Sequence, residues 1–393
     1  MERAYRLRTI PPYPFREIAA LKAEKIQRGE KLIDFGIGDP DQATPDFVIE
    51  AMTEAIREPR THQYDETGHG YPEYRQAIAR HMASRFGVEV DPDTQVQSTI
   101  GCKEALVHIE WAYVDPGDIV LVPDPAYSVY KVQATFCGGA AFPMPLREEN
   151  GFLPDLRAIP KSVAQRAKLL WLNYPNNPTG VLADLTFYEE AVQFARDHDL
   201  LLCQDASYVE VYYGEAKPAS VLQVPGAADV AIEFHSLSKT FNMTGWRVGF
   251  AVGGPQHIEA LSRTKSNVDS GTFGAVQLAA AHALDQYAGW APGLRRMYQQ
   301  RRDALVAGLR GIGWPVRVPE GAFYLWQRVP QGHTSATFAE ELLDKCGVLV
   351  VPGGVYGDFG EGYVRMSLTI MAPNPVAAIA EAVERMAELR VTF

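Results

Sequence analysis

Cysteine is scarce in this chain, four among 393 residues (Cys102, Cys137, Cys203 and Cys346), and no two stand at C-x-x-C spacing. That scarcity excludes a disulfide framework and a thiolate zinc site, so no metal is expected. Runs of basic residues are missing too, and 37 Lys+Arg against 48 Asp+Glu leave a net charge of −11. Neither nucleic acid nor an anionic membrane surface is then the expected partner. No hydrophobic run is long. The longest uncharged stretches, 132–146 and 270–284, contain Pro, Gly, Gln or His and fall short of the roughly 20 apolar residues that span a bilayer. The first residues carry arginines with no apolar stretch behind them, so a secretory leader is not expected and a cytoplasmic location is. Internal repeats and low-complexity segments are also lacking.

What remains is an ordinary globular composition, 47% apolar and 22% charged, long enough for two or three structural units at about 150 residues each. Five stretches are almost wholly apolar over strand length: 118–122, 168–173, 200–204, 229–235 and 248–252. Strands buried on both faces read this way, and they belong to parallel sheets covered by helices. Helical patterns lie between them, at 126–136 and 185–198 for example. The expected fold class is α/β, with a mostly parallel central sheet flanked by helices, over residues 46–289. After Pro292 the texture changes: a long helical pattern (293–310), a strand (323–329), a helix (335–346), strands at 348–352 and 362–369, and a last helix (375–389). These predict a smaller α+β domain made of 290–393 joined by 1–45.

The most informative stretch is 236–247, SLSKTFNMTGWR, set between two buried strand patterns. Lys239 among hydroxyls, with Arg247 eight residues on, has two chemical readings. In one, Lys239 forms a Schiff base with a cofactor aldehyde, its amine kept neutral by desolvation and a cationic neighbour. Ser236, Ser238 and Arg247 then hold a phosphate, which a guanidinium grips at two oxygens. In the other, Ser236 to Lys239 is an S-x-x-K acylation motif, which also requires S-D-N and K-T-G partners; neither string occurs. The plain alternative is a solvated loop lysine.

Three further segments bear on the choice. NYPNNPTG at 173–180 follows a buried strand, where α/β folds place ligands. It reads as a rigid turn, and Pro178 would cage the Asn177 amide at a fixed angle to a ligand. The strand LLLCQ at 200–204 ends in Asp205, with Tyr208 close behind. A carboxylate at that depth is costly unless it meets a cation, and a protonated pyridine nitrogen is such a cation. Gly101, Cys102 and Lys103 open a helix after 95–100, leaving backbone N–H groups for a phosphate.

With these residues the chain resembles, over nearly its whole length, the fold-type I pyridoxal-phosphate enzymes, specifically the class I and II aminotransferases; NYPNNPTG and SLSKTFNMTGWRVG carry the resemblance. It implies pyridoxal 5′-phosphate as cofactor and ping-pong exchange of an amino group between an amino acid and a 2-oxo acid. Lys239 is implied as the imine-forming and proton-moving amine, Asp205 as the partner of the pyridine nitrogen, and Asn177 and Tyr208 as donors to the ring hydroxyl. Tyr127 is implied to stack on the ring. Gly101, Cys102, Lys103, Ser236, Ser238 and Arg247 are implied to cradle the phosphate. The resemblance further implies a homodimer with a shared site, in which Tyr64 reaches the neighbouring subunit's phosphate. Arg365 is implied to grip the substrate α-carboxylate, with Gly38 beside Ile37 touching the same group and Asn177 and Tyr127 close by. Without that context Tyr127 and Tyr208 read as core aromatics, and Arg365 as a structural ion pair.

GIGDPD at 36–41, EFHSLSKTFNMTGWR at 233–247 and KSNVDSG at 265–271 look most like the LL-diaminopimelate aminotransferase branch, which passes an amino group to 2-oxoglutarate. Enzymes acting on N-succinyldiaminopimelate, aspartate, alanine, methionine or aromatic amino acids are the alternatives, and a cofactor-binding regulator or inactive relative is one of another class. The acidic pair Asp65-Glu66 beside Tyr64 departs from the family's short polar loop. Glu66, or Asp65, is expected to meet the ammonium at the far end of the substrate from the other subunit; the alternative is a solvated acidic surface.

Overall fold

The apolar runs pair side by side, as their two-sided burial requires. In a computed structural model, which describes residues 1–12, 15–389 and 391–393, the first strand is the short β1 (Ile33–Asp34). Seven strands then build one sheet: β2 (Val96–Thr99), β3 (Ile119–Asp124), β4 (Ala140–Pro145), β5 (Ala167–Asn173), β6 (Leu201–Asp205), β7 (Ala231–Ser236) and β8 (Gly249–Gly253). Their order is β2-β8-β7-β6-β5-β3-β4, with β3 to β7 parallel and β8 antiparallel to both its neighbours. A fully buried run has no mark of direction, so the antiparallel β8 is not distinguishable from the others by composition. Strand β4 was not expected. Its Pro143 and Pro145 argue against a strand, but β4 is an edge, where a missing N–H costs no ladder bond.

The helices are delimited by local chemistry. Asp184 accepts the Phe187 N–H at 2.8 Å to start helix Leu185–His198, and Asp199 stops it with a left-handed φ of 53°. The pattern at 126–136 becomes helix Val129–Cys137; the Ala126 N–H bonds the Tyr356 carbonyl at 2.9 Å, which leaves Tyr127 on the preceding loop. The long helix runs Tyr287–Gly311 and contains Pro292 near its start rather than beginning after it.

Three further strands, β9 (Tyr324–Arg328), β10 (Val348–Leu349) and β11 (Val351–Pro352), precede β12 (Tyr363–Ser367). The single strand expected at 348–352 is divided, because β10 pairs with β1 while β11 pairs with β12 in the antiparallel sheet β11-β12-β9. The seven-stranded sheet thus lies within 46–289, and the two smaller sheets are built from segments on either side of it. Its parallel strands β5, β6 and β7 are adjacent, so their carboxyl ends, Asn173, Asp205 and Ser236, open onto one hollow. Among the described residues no helix is long and apolar enough to cross a membrane.

Candidate active site

That hollow is a cavity of about 680 Å³. Of the residues singled out from sequence, Ile37, Gly38, Cys102, Lys103, Tyr127, Asn177, Asp205, Tyr208, Ser236, Ser238, Lys239, Arg247 and Arg365 line it. Gly101 sits directly behind: its φ is +72°, and a Cβ there would strike the Arg247 guanidinium, so only glycine lets that cation approach the start of helix Cys102–Tyr113.

Lys239 lies in the one-turn helix Leu237–Thr240 that Ser236 caps, its side-chain oxygen accepting the Ser238 N–H at 3.2 Å. The amine donates to the Gly38 carbonyl at 3.2 Å, and Asp39 is 3.9 Å away. Burial, opposed by Asp39 and aided by the charges of Arg247 and Arg365, pulls the amine from 10.5 down to about 8. Below that pH it is a proton donor, and above it a free nucleophile. The rate at which an aldehyde reagent is captured and trapped by borohydride should therefore climb about tenfold per pH unit until about pH 8 and then level. A rate still climbing at pH 10 would describe an ordinary surface lysine.

The Asp205 carboxylate is buried at the end of β6. It accepts the Tyr130 hydroxyl at 2.8 Å and the Ser207 N–H at 3.0 Å, with the Cys102 thiol 3.7 Å away. Among the described residues no Lys, Arg or His side chain forms an ion pair with it. A buried anion held only by neutral donors is the partner a cationic ring nitrogen needs, so the residues fit a pyridinium cofactor. Lys103 is also kept below its usual range by burial and then by Arg247, and lies 5.6 Å over the Tyr127 ring.

The turn 173–180 is fixed by its own amides. Asn176 accepts the Thr179 N–H at 3.0 Å and hydroxyl at 2.7 Å, and the Asn173 side chain accepts the Asn177 N–H at 2.9 Å. This leaves the Asn177 amide oxygen to accept Arg365 Nη1 at 3.0 Å; Arg365 Nη2 donates to the Gly36 carbonyl at 2.8 Å. The Arg365 guanidinium carbon also lies 4.1 Å from the Tyr324 ring centroid and 5.1 Å from that of Tyr356.

Two expected residues are not in the cavity of a single chain. Tyr64 is 81% exposed and lines a separate hollow with Thr61, Tyr71 and Phe273. Glu66 is exposed, whereas Asp65 is committed to its own loop, accepting the Thr67 N–H and hydroxyl and the Gly70 N–H. Tyr130 and Tyr324, both in the cavity wall, were not foreseen. Tyr130 lies in the first turn of helix Val129–Cys137 with its ring centroid 6.1 Å from that of Tyr127, a contact the sequence does not announce. One cluster of metal-ligand type exists among the described residues, Glu104, His108 and Asp269. The buried Lys265 ammonium, 3.1 Å from Glu104 and 2.7 Å from Asp269, already supplies a cation there.

Comparison with known proteins agrees with this geometry. The family model described as aminotransferase class I and II matches residues 30–383. Curated relatives named LL-diaminopimelate aminotransferase include that of Desulforudis audaxviator, 49% identical over 99% of both chains. That of Aquifex aeolicus is 47% identical over 98% of both. Among solved structures, substrate-bound BacF from Bacillus subtilis is 36% identical and superposes with a TM-score of 0.95 over 100% of this chain and 99% of its own. A Thermus thermophilus aspartate aminotransferase double mutant, at 30% identity, gives 0.90 over 99% of both. A lysine, an aspartate and an asparagine at the ends of three neighbouring parallel strands, facing a buried arginine, are thus embedded in a chain that belongs to the class I and II aminotransferases.

Proposed function

We propose that this transaminase binds pyridoxal 5′-phosphate in the cavity and moves an amino group between LL-diaminopimelate and 2-oxoglutarate. When bound, the cofactor supplies an aldehyde for an amine and a protonated ring that withdraws electrons. Lys239 contributes the amine and, once released, the base that moves a proton at Nζ. Asp205, steadied by Tyr130 and the Ser207 N–H, holds the positive ring nitrogen. Tyr208 and Asn177 address the ring oxygen, and Tyr127 covers the ring face. The start of helix Cys102–Tyr113, with Ser236, Ser238 and Arg247, takes the phosphate. Arg365 orients the substrate through its α-carboxylate, beside Gly38 and Ile37.

The same proposal includes a cytoplasmic homodimer in which Tyr64 and Glu66 serve the partner's cavity, and a division of the chain into 46–289 and 1–45 plus 290–393. Nearly full-length likeness to relatives bearing the diaminopimelate name is the observation that carries the substrate. A half-reaction screen tests it: the visible band of the loaded protein should bleach faster with LL-diaminopimelate than with aspartate, alanine, methionine, aromatic amino acids or N-succinyldiaminopimelate. Tenfold faster bleaching by any of these would replace the proposed substrate.

A further inference from the structure

Tyr324 is one of the largest fully buried side chains, yet it reaches the cavity from β9. Its hydroxyl lies 2.9 Å from the Tyr208 hydroxyl, and its ring centroid is 4.1 Å from the Arg365 guanidinium carbon. A Cβ on Gly38 would strike the Tyr324 hydroxyl, so the absence of a side chain at 38 is what makes room for it. The placement is rigid. The Ala322 N–H bonds the Val211 carbonyl at 2.8 Å, and the Tyr213 N–H bonds the Glu320 carbonyl at 3.0 Å. The Tyr213 hydroxyl donates to the Ala322 carbonyl at 2.7 Å. The segment carrying Tyr324 is thereby bolted to the loop carrying Tyr208.

We infer that Tyr324 is a positioning residue joining the two halves of the site: its hydroxyl orients Tyr208 toward the cofactor, and its ring is the platform on which Arg365 lies. The inference rests on the cofactor reading above. If Tyr208 donates its proton to an anionic ring oxygen, its own oxygen is left to accept, and Tyr324 is the donor within reach. Burial holds the Tyr208 proton well beyond ordinary ionisation, so it remains a neutral donor. Beneath Arg365, the ring face attracts the guanidinium and fixes the plane in which it lies.

The test is a double-mutant cycle on cofactor affinity, measured by titrating apoprotein fluorescence with pyridoxal 5′-phosphate, together with the KM for the amino donor. Tyr208→Phe and Tyr324→Phe should each weaken cofactor binding about three- to tenfold. The double variant should be within about twofold of Tyr208→Phe alone, because Tyr324 acts through Tyr208. Tyr324→Phe keeps the platform, so KM should stay within about twofold, whereas Tyr324→Leu should raise it about fivefold. Wild-type affinity in Tyr324→Phe, or a double variant equal to the product of the singles, would overturn the inference even if Tyr324→Leu failed to fold. A wild-type apoprotein that takes up no cofactor would instead overturn the reading beneath it.

Discussion

Lys239→Ala should retain its fold and lose transamination by more than about 10⁴-fold, the upper range for a positioned proton-transfer group alone. The loss is expected to be large because this amine has no understudy. Lys103 and Lys22 share the cavity, but Lys103 lies over the Tyr127 ring and Lys22 is paired with Asp34 at 2.7 Å. Stability should hold: the contacts forfeited are one bond to the Gly38 carbonyl, a 3.9 Å approach to Asp39 and a 5.8 Å approach to the Phe323 ring, and deleting a desolvated cation relieves a cost. Borohydride treatment followed by peptide mass mapping gives the second readout. Wild type should carry the cofactor mass on the peptide containing position 239, and the variant should carry none. Full-speed turnover by Lys239→Ala would defeat the assignment.

Arg365→Met should lower kcat/KM for every amino donor by about 10²- to 10³-fold, as expected when a buried charge that meets a charged ligand is removed at a cost of about 3–4 kcal/mol. Its guanidinium is pre-aimed by Asn177, Gly36 and the Tyr324 ring, so little ordering remains when a carboxylate arrives. Arg365→Lys should recover only part of the loss, because an ammonium cannot present two parallel N–H groups. Cofactor affinity should change little in either variant. A KM unmoved by Arg365→Met would assign the α-carboxylate to some other cation.

How much could be read from the residues alone follows from where each signal resides. Asn177, Asp205 and Lys239 stand just after apolar runs, and adjacent parallel strands deliver such ends to one place, so their convergence was legible without coordinates. The central sheet was legible for the same reason. Strand β4 was not, because prolines that forbid an inner strand are harmless at an edge. The division of 348–352 between two sheets depends on β1 and β12, which are remote in sequence. Tyr324 resembles any core aromatic until its hydroxyl is seen to meet that of Tyr208. Tyr64 and Glu66 carry expectations about a second subunit, and a single chain leaves both at its surface.

The bonds from Arg365 to Asn177 and from Lys239 to Gly38 have one more consequence. Each fastens a segment near the small sheets to a segment leaving the large one. A ligand that claims both cations would unfasten these stitches and replace them with its own, so substrate entry and relaxation of this seam are thermodynamically one event. Part of the binding free energy is thereby committed to reshaping the vestibule rather than appearing as affinity.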